Sequence, residues 1–385
     1  MGNTLGISML KLHEYNPLPH KGLLFVGDPH VWSFKPGRRR DNYLEAICYK
    51  LEQIAEISNT RGLWTVILGD LFHHAQDNDL AMISRLTRIF SMFDRKPIVL
   101  VGNHDLTEHF LTPGTTLDVF HSSGQILTIV ENGPFAEMIM KNGSDGKKEK
   151  EHRVIIGGTP YGEDVPKSLS PWFGGTTHAS IKKKAGADTV VWITHDDFAF
   201  DQSYPNAKEL KPILGCDIAV NGHMHRKQRP LRQGETSWYN PGNISRLTVD
   251  LLDQDVAVWA WAPDMGEEPS GNDLLVPKLE KITLKAQEAH TVMSLEGRIA
   301  QHSKTQLKSP GNNNESDNDN AAATSSRFVE QLKNEQNVEK TDEAVFLREA
   351  LDSAFTEKET PEHVVTIINS LFQKAVREHQ EKKSS

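Results

Sequence analysis

A chain of 385 residues, 37% hydrophobic and 25% charged, is long enough for a large buried core with appendages and reads as a soluble protein. Its two cysteines, Cys48 and Cys216, lie far apart and in no CxxC pair, which speaks against a disulfide framework or a cysteine zinc site and fits a reducing compartment. A net charge of −9 gives no general attraction for nucleic acid, and no apolar run approaches a membrane span.

The N-terminus shows no basic-then-apolar signal pattern. Gly6 stands where myristoylation after Met1-Gly2 wants Ser or Thr. A cytoplasmic protein without membrane contact is the plain expectation.

Residues 1–20 have little periodicity and read as a tail or strap. Gly22-Leu23-Leu24-Phe25-Val26 is the first strong strand, and it runs into Gly27-Asp28-Pro29-His30. After a loop with Arg38, Arg39 and Arg40, residues 42–58 place Leu44, Ile47, Leu51, Ile54 and Ala55 at helical spacing. The next strand, Thr65-Val66-Ile67-Leu68, ends in Gly69-Asp70-Leu71-Phe72-His73. This makes a βαβ unit whose strands both end in Gly-Asp. A second helix over about 78–93 leads to the strand 97–101 and then Gly102-Asn103-His104-Asp105. Strand–helix repeats of this kind argue for an α/β sandwich.

Residues 126–158 read as β-hairpins around the loop Lys141–Lys150. The strand 189–194 delivers His195, and 216–221 delivers Gly222-His223-Met224-His225. Residues 256–261 and 279–284 alternate enough to be later strands. The expected organisation is a tail (1–20), a main α/β body (21–247), final strands with a small cap (248–300), a polar low-complexity linker (301–326) and a helical appendage (327–385).

The strand ends present Asp28, His30, Asp70, Asn103, His104, His195, His223 and His225. Singly, each motif also reads as an ordinary turn, a surface strand end or a satisfied core histidine. Together they put carboxylate, amide and imidazole on one rim, which a core does not need and a metal cluster does. Mixed Asp, His and Asn ligands suit divalent first-row ions. A central carboxylate with two oxygens can bridge two such ions, and Asp70 is the candidate.

These residues resemble the calcineurin-like metallophosphoesterase superfamily, whose signature of GDxH, GD, GNHD, a lone His and GHxH stands complete and in order across Gly27–His225. The resemblance implies a four-layer α-β-β-α sandwich and two divalent cations. Mn²⁺ is the first choice, with Fe²⁺, Zn²⁺ or Mg²⁺ as alternatives. One metal takes Asp28, His30, Asp70 and His225, and the other Asp70, Asn103, His195 and His223. His104 is then not a ligand but the group that protonates the leaving oxygen or stabilises the phosphorane, and Asp105 orients it. Two cations lower the pKa of the attacking water and hold the phosphate oxygens for in-line displacement.

The form Gly69-Asp70-Leu71-Phe72-His73 is similar to the GDLFH of SbcD-type DNA repair nucleases, in which the last histidine contacts the phosphate to be cleaved; here that is His73. Tyr239-Asn240-Pro241-Gly242-Asn243 is similar to their N-P-G-S segment, with Asn243 in place of Ser. The resemblance implies a DNA exo/endonuclease subunit of an SbcCD-like recombination and repair complex, partnered by DNA, an SMC-like ATPase of SbcC type and, in some assemblies, a second copy of the chain. A stand-alone phosphodiesterase or phosphatase on small phosphoesters is the alternative, and an idle scaffold subunit is a third reading that no altered ligand supports. Arg38-Arg39-Arg40 and Arg226, Lys227, Arg229 and Arg232 are candidate phosphate contacts or a solvated face. Within the appendage, residues 341–376 carry two amphipathic stripes, through Phe346, Leu347, Leu351 and Phe355 and through Val365, Ile368, Leu371 and Phe372. They would either fold back on the body or dock on the ATPase.

Overall fold

The structure, a computed structural model, describes residues 13–14, 21–142, 150–201, 207–248 and 251–293. The expected linker and helical appendage lie outside the described residues.

Two sheets face each other. The first contains Gly22–Val26 (β2), Leu63–Ile67 (β3), Ile98–Leu100 (β4), Leu127–Ile129 (β5), Ala257–Trp261 (β12) and Glu280–Thr283 (β15), in the order β15-β12-β2-β3-β4-β5. From β2 to β5 its strands are parallel, joined through the helices Tyr43–Arg61 (α1), Leu80–Phe90 (α2) and Thr116–Ser122 (α3). The second contains His13–Glu14 (β1), Gly133–Asn142 (β6), Lys150–Thr159 (β7), Thr189–Thr194 (β8), Ile218–Asn221 (β9), Leu231–Gln233 (β10) and Thr236–Tyr239 (β11), in the order β1-β6-β7-β8-β9-β11-β10.

Strand alternation explains the layering. On β2, Leu23 and Phe25 point between the sheets, where they meet Val66, Leu68, Val191, Ile193 and Val220. Leu24 and Val26 point the other way, against Ile47, Leu51 and Ile54 of α1 and Leu86 and Ile89 of α2. The outer face of the second sheet packs Val190, Trp192 and Ala219 against Leu169, Trp238 and Ile181, the last from the helix His178–Ala185 (α5). A strand buried on both faces reads as a continuous apolar run, and β2, β3 and β8 do. The result is the four-layer α-β-β-α sandwich.

Several details differ from the sequence reading. Residues 13–14 of the expected tail form β1, a parallel edge strand on β6. Within 126–158, β5 joins the first sheet while β6 and β7 form a hairpin in the second. The final strands β12 and β15 complete the first sheet, with β12 antiparallel to β2. What is left for a cap among the described residues is the small hairpin of Glu267–Pro269 (β13) and Leu275–Pro277 (β14). None of the described helices is long and apolar enough to cross a membrane.

Candidate functional site

Five strands from both sheets end at one rim. The segments after β2, β3 and β4 carry Asp28 and His30, Asp70 and His73, and Asn103 and His104, while those after β8 and β9 carry His195, His223 and His225. The backbone here leaves its ordinary regions: Asp28, His30, Asp70 and His223 all have positive φ, between 27° and 65°. Such residues cost about 1–3 kcal/mol each and persist where the surroundings enforce them, typically at functional sites. Gly69, at φ 113°, is required twice over, because a Cβ there would lie 2.2 Å from His195 Nδ1. Gly102 must also be bare, since its Cβ would lie 2.2 Å from Asp70 Oδ1.

Two of three donor clusters carry the candidate ligands, and the third, His30, His73 and His104, shares His30 with the first of them. Asp28, His30 and His225 each bring a ligand atom within 4.8 Å of the others, and Asp70, His195 and His223 do the same. Asn103 Oδ1 joins the second group, 3.1 Å from His195 Nε2 and 2.9 Å from His223 Nδ1. Asp70 stands between them: its Oδ2 lies 3.1 Å from His195 Nε2 and 3.6 Å from His30 Nε2. Its Oδ1 is occupied, accepting the His104 backbone N–H at 2.9 Å. The Asp70 carboxylate therefore turns one oxygen, not two, toward both groups.

These residues fit a pair of cations. Asp28 is 1% exposed, yet neither of its carboxylate oxygens has a hydrogen-bond partner. Burial pushes its pKa up to about 7, with Asp70 adding to the rise and His195 and His223 opposing it. His30 Nε2 and His225 Nε2 confront each other at 2.9 Å, and burial holds the His30 pKa well below its usual value. Burial works against charge on Asp70 as well, but His195 and His104 hold that carboxyl well below the usual range. For His195, burial is outweighed by Asp70 and Asp28, which lift it to about 9. Carboxylates buried this way are stabilised by coordinated cations, and the mixed N and O donor set suits divalent ions.

Outer contacts aim the ligands. His195 Nδ1 lies 2.8 Å from the Leu68 carbonyl, so its N–H donates there and Nε2 faces Asp70 and Asn103. His223 Nε2 lies 3.5 Å from Asp197 Oδ2, leaving Nδ1 for the site. Asp197 escapes sequence reasoning because it stands in no motif; its position two residues after His195 is the signal that could have found it. Tyr161, also unforeseen, packs its ring 5.7 Å from that of His223.

His104 and His73 sit beside the first group. Their rings stack at 5.3 Å with 18° between planes, and His104 also meets His30 edge-on at 4.8 Å. Asp105, which the resemblance would have orient His104, holds the backbone on either side of it. The Asp105 carboxylate accepts backbone N–H groups from Phe72 and Gly102 at 3.0 Å and Leu71 at 3.4 Å. It thus ties the loop after β3 to the loop after β4. The His104 ring is instead held through Nδ1, which donates to the His73 carbonyl at 2.7 Å.

The basic run also divides. Arg39 is 4% exposed, pairs with both Asp41 oxygens at 2.6 and 2.8 Å and donates to the Ser245 and Arg246 carbonyls. It is a structural clamp, not a phosphate contact. After the GHxH motif, Arg226 pairs with Asp253 at 3.5 Å, Lys227 lies 4.0 Å over the Trp259 ring and Arg232 donates to the Leu275 carbonyl.

A family model described as calcineurin-like phosphoesterase matches residues 22–227, a stretch that contains every candidate ligand. No curated protein matches the chain. Among solved structures, the calcineurin-like phosphoesterase YfkN from Bacillus subtilis is 14% identical, with TM-score 0.37, over 75% of this chain and 98% of that one. A 5'-nucleotidase precursor from Thermus thermophilus is 14% identical, with TM-score 0.38, over 74% of this chain and 58% of that one. A 5'-nucleotidase from Candida albicans is 11% identical, with TM-score 0.38, over 76% and 60%. The chain spans less than two thirds of the two nucleotidases, and likenesses this distant carry no inference about substrate.

Proposed function

The chain belongs to the calcineurin-like phosphoesterase family, and we propose that it is a two-metal phosphodiesterase that cleaves DNA as the nuclease subunit of an SbcCD-like complex. One observation carries the DNA reading beyond the family: the histidine of the GDLFH form, His73, lies against the group proposed to act as general acid. With His30 and His104 it brings ligand atoms within 4.8 Å of one another, in reach of a phosphate held at the first donor group.

Asp28, His30, Asp70 and His225 would hold one cation and Asp70, Asn103, His195 and His223 the other. Bound there, divalent ions lower the pKa of the attacking water and neutralise the phosphate oxygens, Mn²⁺ being our first choice. The chain does the rest. Because His104 Nδ1–H donates to the His73 carbonyl, the proton available to the leaving oxygen would be the second one, carried on Nε2 of the imidazolium, which then returns to the neutral Nδ1–H form. His73, stacked on that ring, is placed to steady the phosphate. Asp105 and the His104 N–H to Asp70 Oδ1 bond keep acid and bridge in register.

Mn²⁺-dependent digestion of linear double-stranded DNA, compared with bis-p-nitrophenyl phosphate, tests this reading. Turnover of the small diester without cleavage of DNA would favour a stand-alone phosphodiesterase, the reading that the net charge of −9 suits better. We further propose that residues 341–376 dock on the coiled coil of an SMC-like ATPase, supported by their two apolar stripes. Leu351→Glu with Phe372→Glu should abolish co-purification with that ATPase while cleavage by the isolated subunit persists.

A further inference from the structure

A run of aromatic rings leads from the metal donors to solvent. It begins at His30, passes to His104 at 4.8 Å and to His73 at 5.4 Å, and continues from His73 to Trp32 at 4.7 Å. Trp32 also meets His74 at 4.8 Å, and beyond it Phe34 lies 6.1 Å away. Phe34 is 73% exposed and belongs to none of the hydrophobic cores. A lone exposed apolar ring is common. One at the end of a ring series that starts in a reaction centre is not accounted for by folding.

The loop that carries these rings is braced. The Ser33 backbone N–H and hydroxyl both donate to Asp77 at 2.7 Å, and Asp77, itself buried, donates its N–H to Thr116 Oγ1 at 2.8 Å. On either side of the ladder, Val31 N–H donates to the Leu71 carbonyl at 2.8 Å and His73 N–H to the Val31 carbonyl at 2.9 Å. Trp32 and His73 are therefore held in register by backbone bonds. Lys35 stands exposed next to Phe34, a cation beside the platform.

We propose that Phe34, backed by the Trp32 ring tilted 59° to it, offers a stacking face for the nucleobase on the leaving-oxygen side of the scissile phosphate. The proposal rests on the nuclease reading above and deepens it. The ring series passes through His104, the group that would protonate the leaving oxygen, so the occupant is whatever that oxygen carries; in a polynucleotide this is a nucleoside. Any base offers a π face, so the platform holds a strand without reading its sequence. A base lying face-on to Phe34 is an unpaired one or one at a strand end, which favours frayed ends and single strands.

The test compares two oligonucleotides that differ only in the leaving-side nucleotide, thymidine or an abasic tetrahydrofuran, with wild type, Phe34→Ala, Phe34→Trp and Trp32→Ala, in Mn²⁺. Base stacking of ordinary strength makes the abasic substrate about 5- to 100-fold poorer in kcat/KM for wild type. The same comparison with Phe34→Ala or Trp32→Ala should show a much smaller difference, and Phe34→Trp should preserve it. Phe34→Ala keeps the test sound if Trp32→Ala fails to fold, since Phe34 packs in no core. Equal rates on both substrates, or additive losses from variant and abasic site, would overturn the platform and leave the nuclease reading standing. Hydrolysis of methyl p-nitrophenyl phosphate with no cleavage of either oligonucleotide would overturn both.

Discussion

The His73 carbonyl lies 2.7 Å from His104 Nδ1, and the two imidazole rings stack at 5.3 Å. One residue thus both holds the ring of the proposed acid through its carbonyl and stacks its own ring on it. The family resemblance suggests Asp105 for the orienting role, but a carboxylate on Nδ1 would have to leave the backbone amides of Phe72 and Gly102 without a partner. A carbonyl performs the task with no added charge in the site.

His104→Ala should lower cleavage by about 10²–10⁴-fold while metal content stays near normal, because its side chain belongs to neither donor group proposed for the metals. Asp70→Ala should lose both activity and metal, since its Oδ2 faces both groups. Metal analysis of the two purified variants in excess Mn²⁺ checks this directly. If His104→Ala also lost metal, its assignment as acid would fall.

His73→Ala should impair DNA cleavage more than hydrolysis of bis-p-nitrophenyl phosphate. The substitution keeps the backbone carbonyl and so the His104 contact, removing the ring alone. A substrate with a good leaving group depends less on exact phosphate placement. Equal losses on the two substrates would favour the small-molecule reading.

Asp197→Asn should weaken Mn²⁺ binding by about tenfold, the low end for an outer-shell group, because its oxygen sits 3.5 Å from His223 Nε2. The readout is a Mn²⁺ titration of activity, in which the half-saturating concentration should rise with little change in the plateau. An unchanged titration would make Asp197 a bystander.

Most of the candidate ligands are legible in the sequence because they follow a strand whose apolar run stops at Gly-Asp, Gly-Asn-His or Gly-His, while His195 comes directly after Thr194 without that mark. Strand identity is legible for the same reason, since β2, β3 and β8 are buried on both faces. Sheet membership is not, because pairing of β12 with β2 joins residues more than two hundred positions apart. Helix α5 buries only Ile181, so it leaves almost no periodic trace. Arg39 reads as one of three surface cations, although the fold uses it to clamp the Ser245 and Arg246 carbonyls. Long-range partners such as these have no local signature.

Lys50 lies under the same loop, 4% exposed, with Nζ donating to the Ile244 carbonyl at 2.7 Å. Burial lowers its pKa from 10.5 to about 7, with Arg39 and Arg246 adding to the drop and Asp41 opposing it. Between those two values the unfolded chain binds the proton and the folded chain does not. Stability must therefore rise with pH across that window, and below about 7 the full cost of charging the buried amine is present. Lys50→Met removes the titrating group and its bond to the Ile244 carbonyl, a loss that does not vary with pH, and keeps most of the length of the side chain. Chemical denaturation of both proteins from about pH 7 to 9.5 should show wild type gaining on the variant as pH rises, whatever the other groups contribute to both curves. A difference that stays constant over that range would mean that Lys50 titrates as an ordinary lysine and that the loop is held without a buried neutral amine.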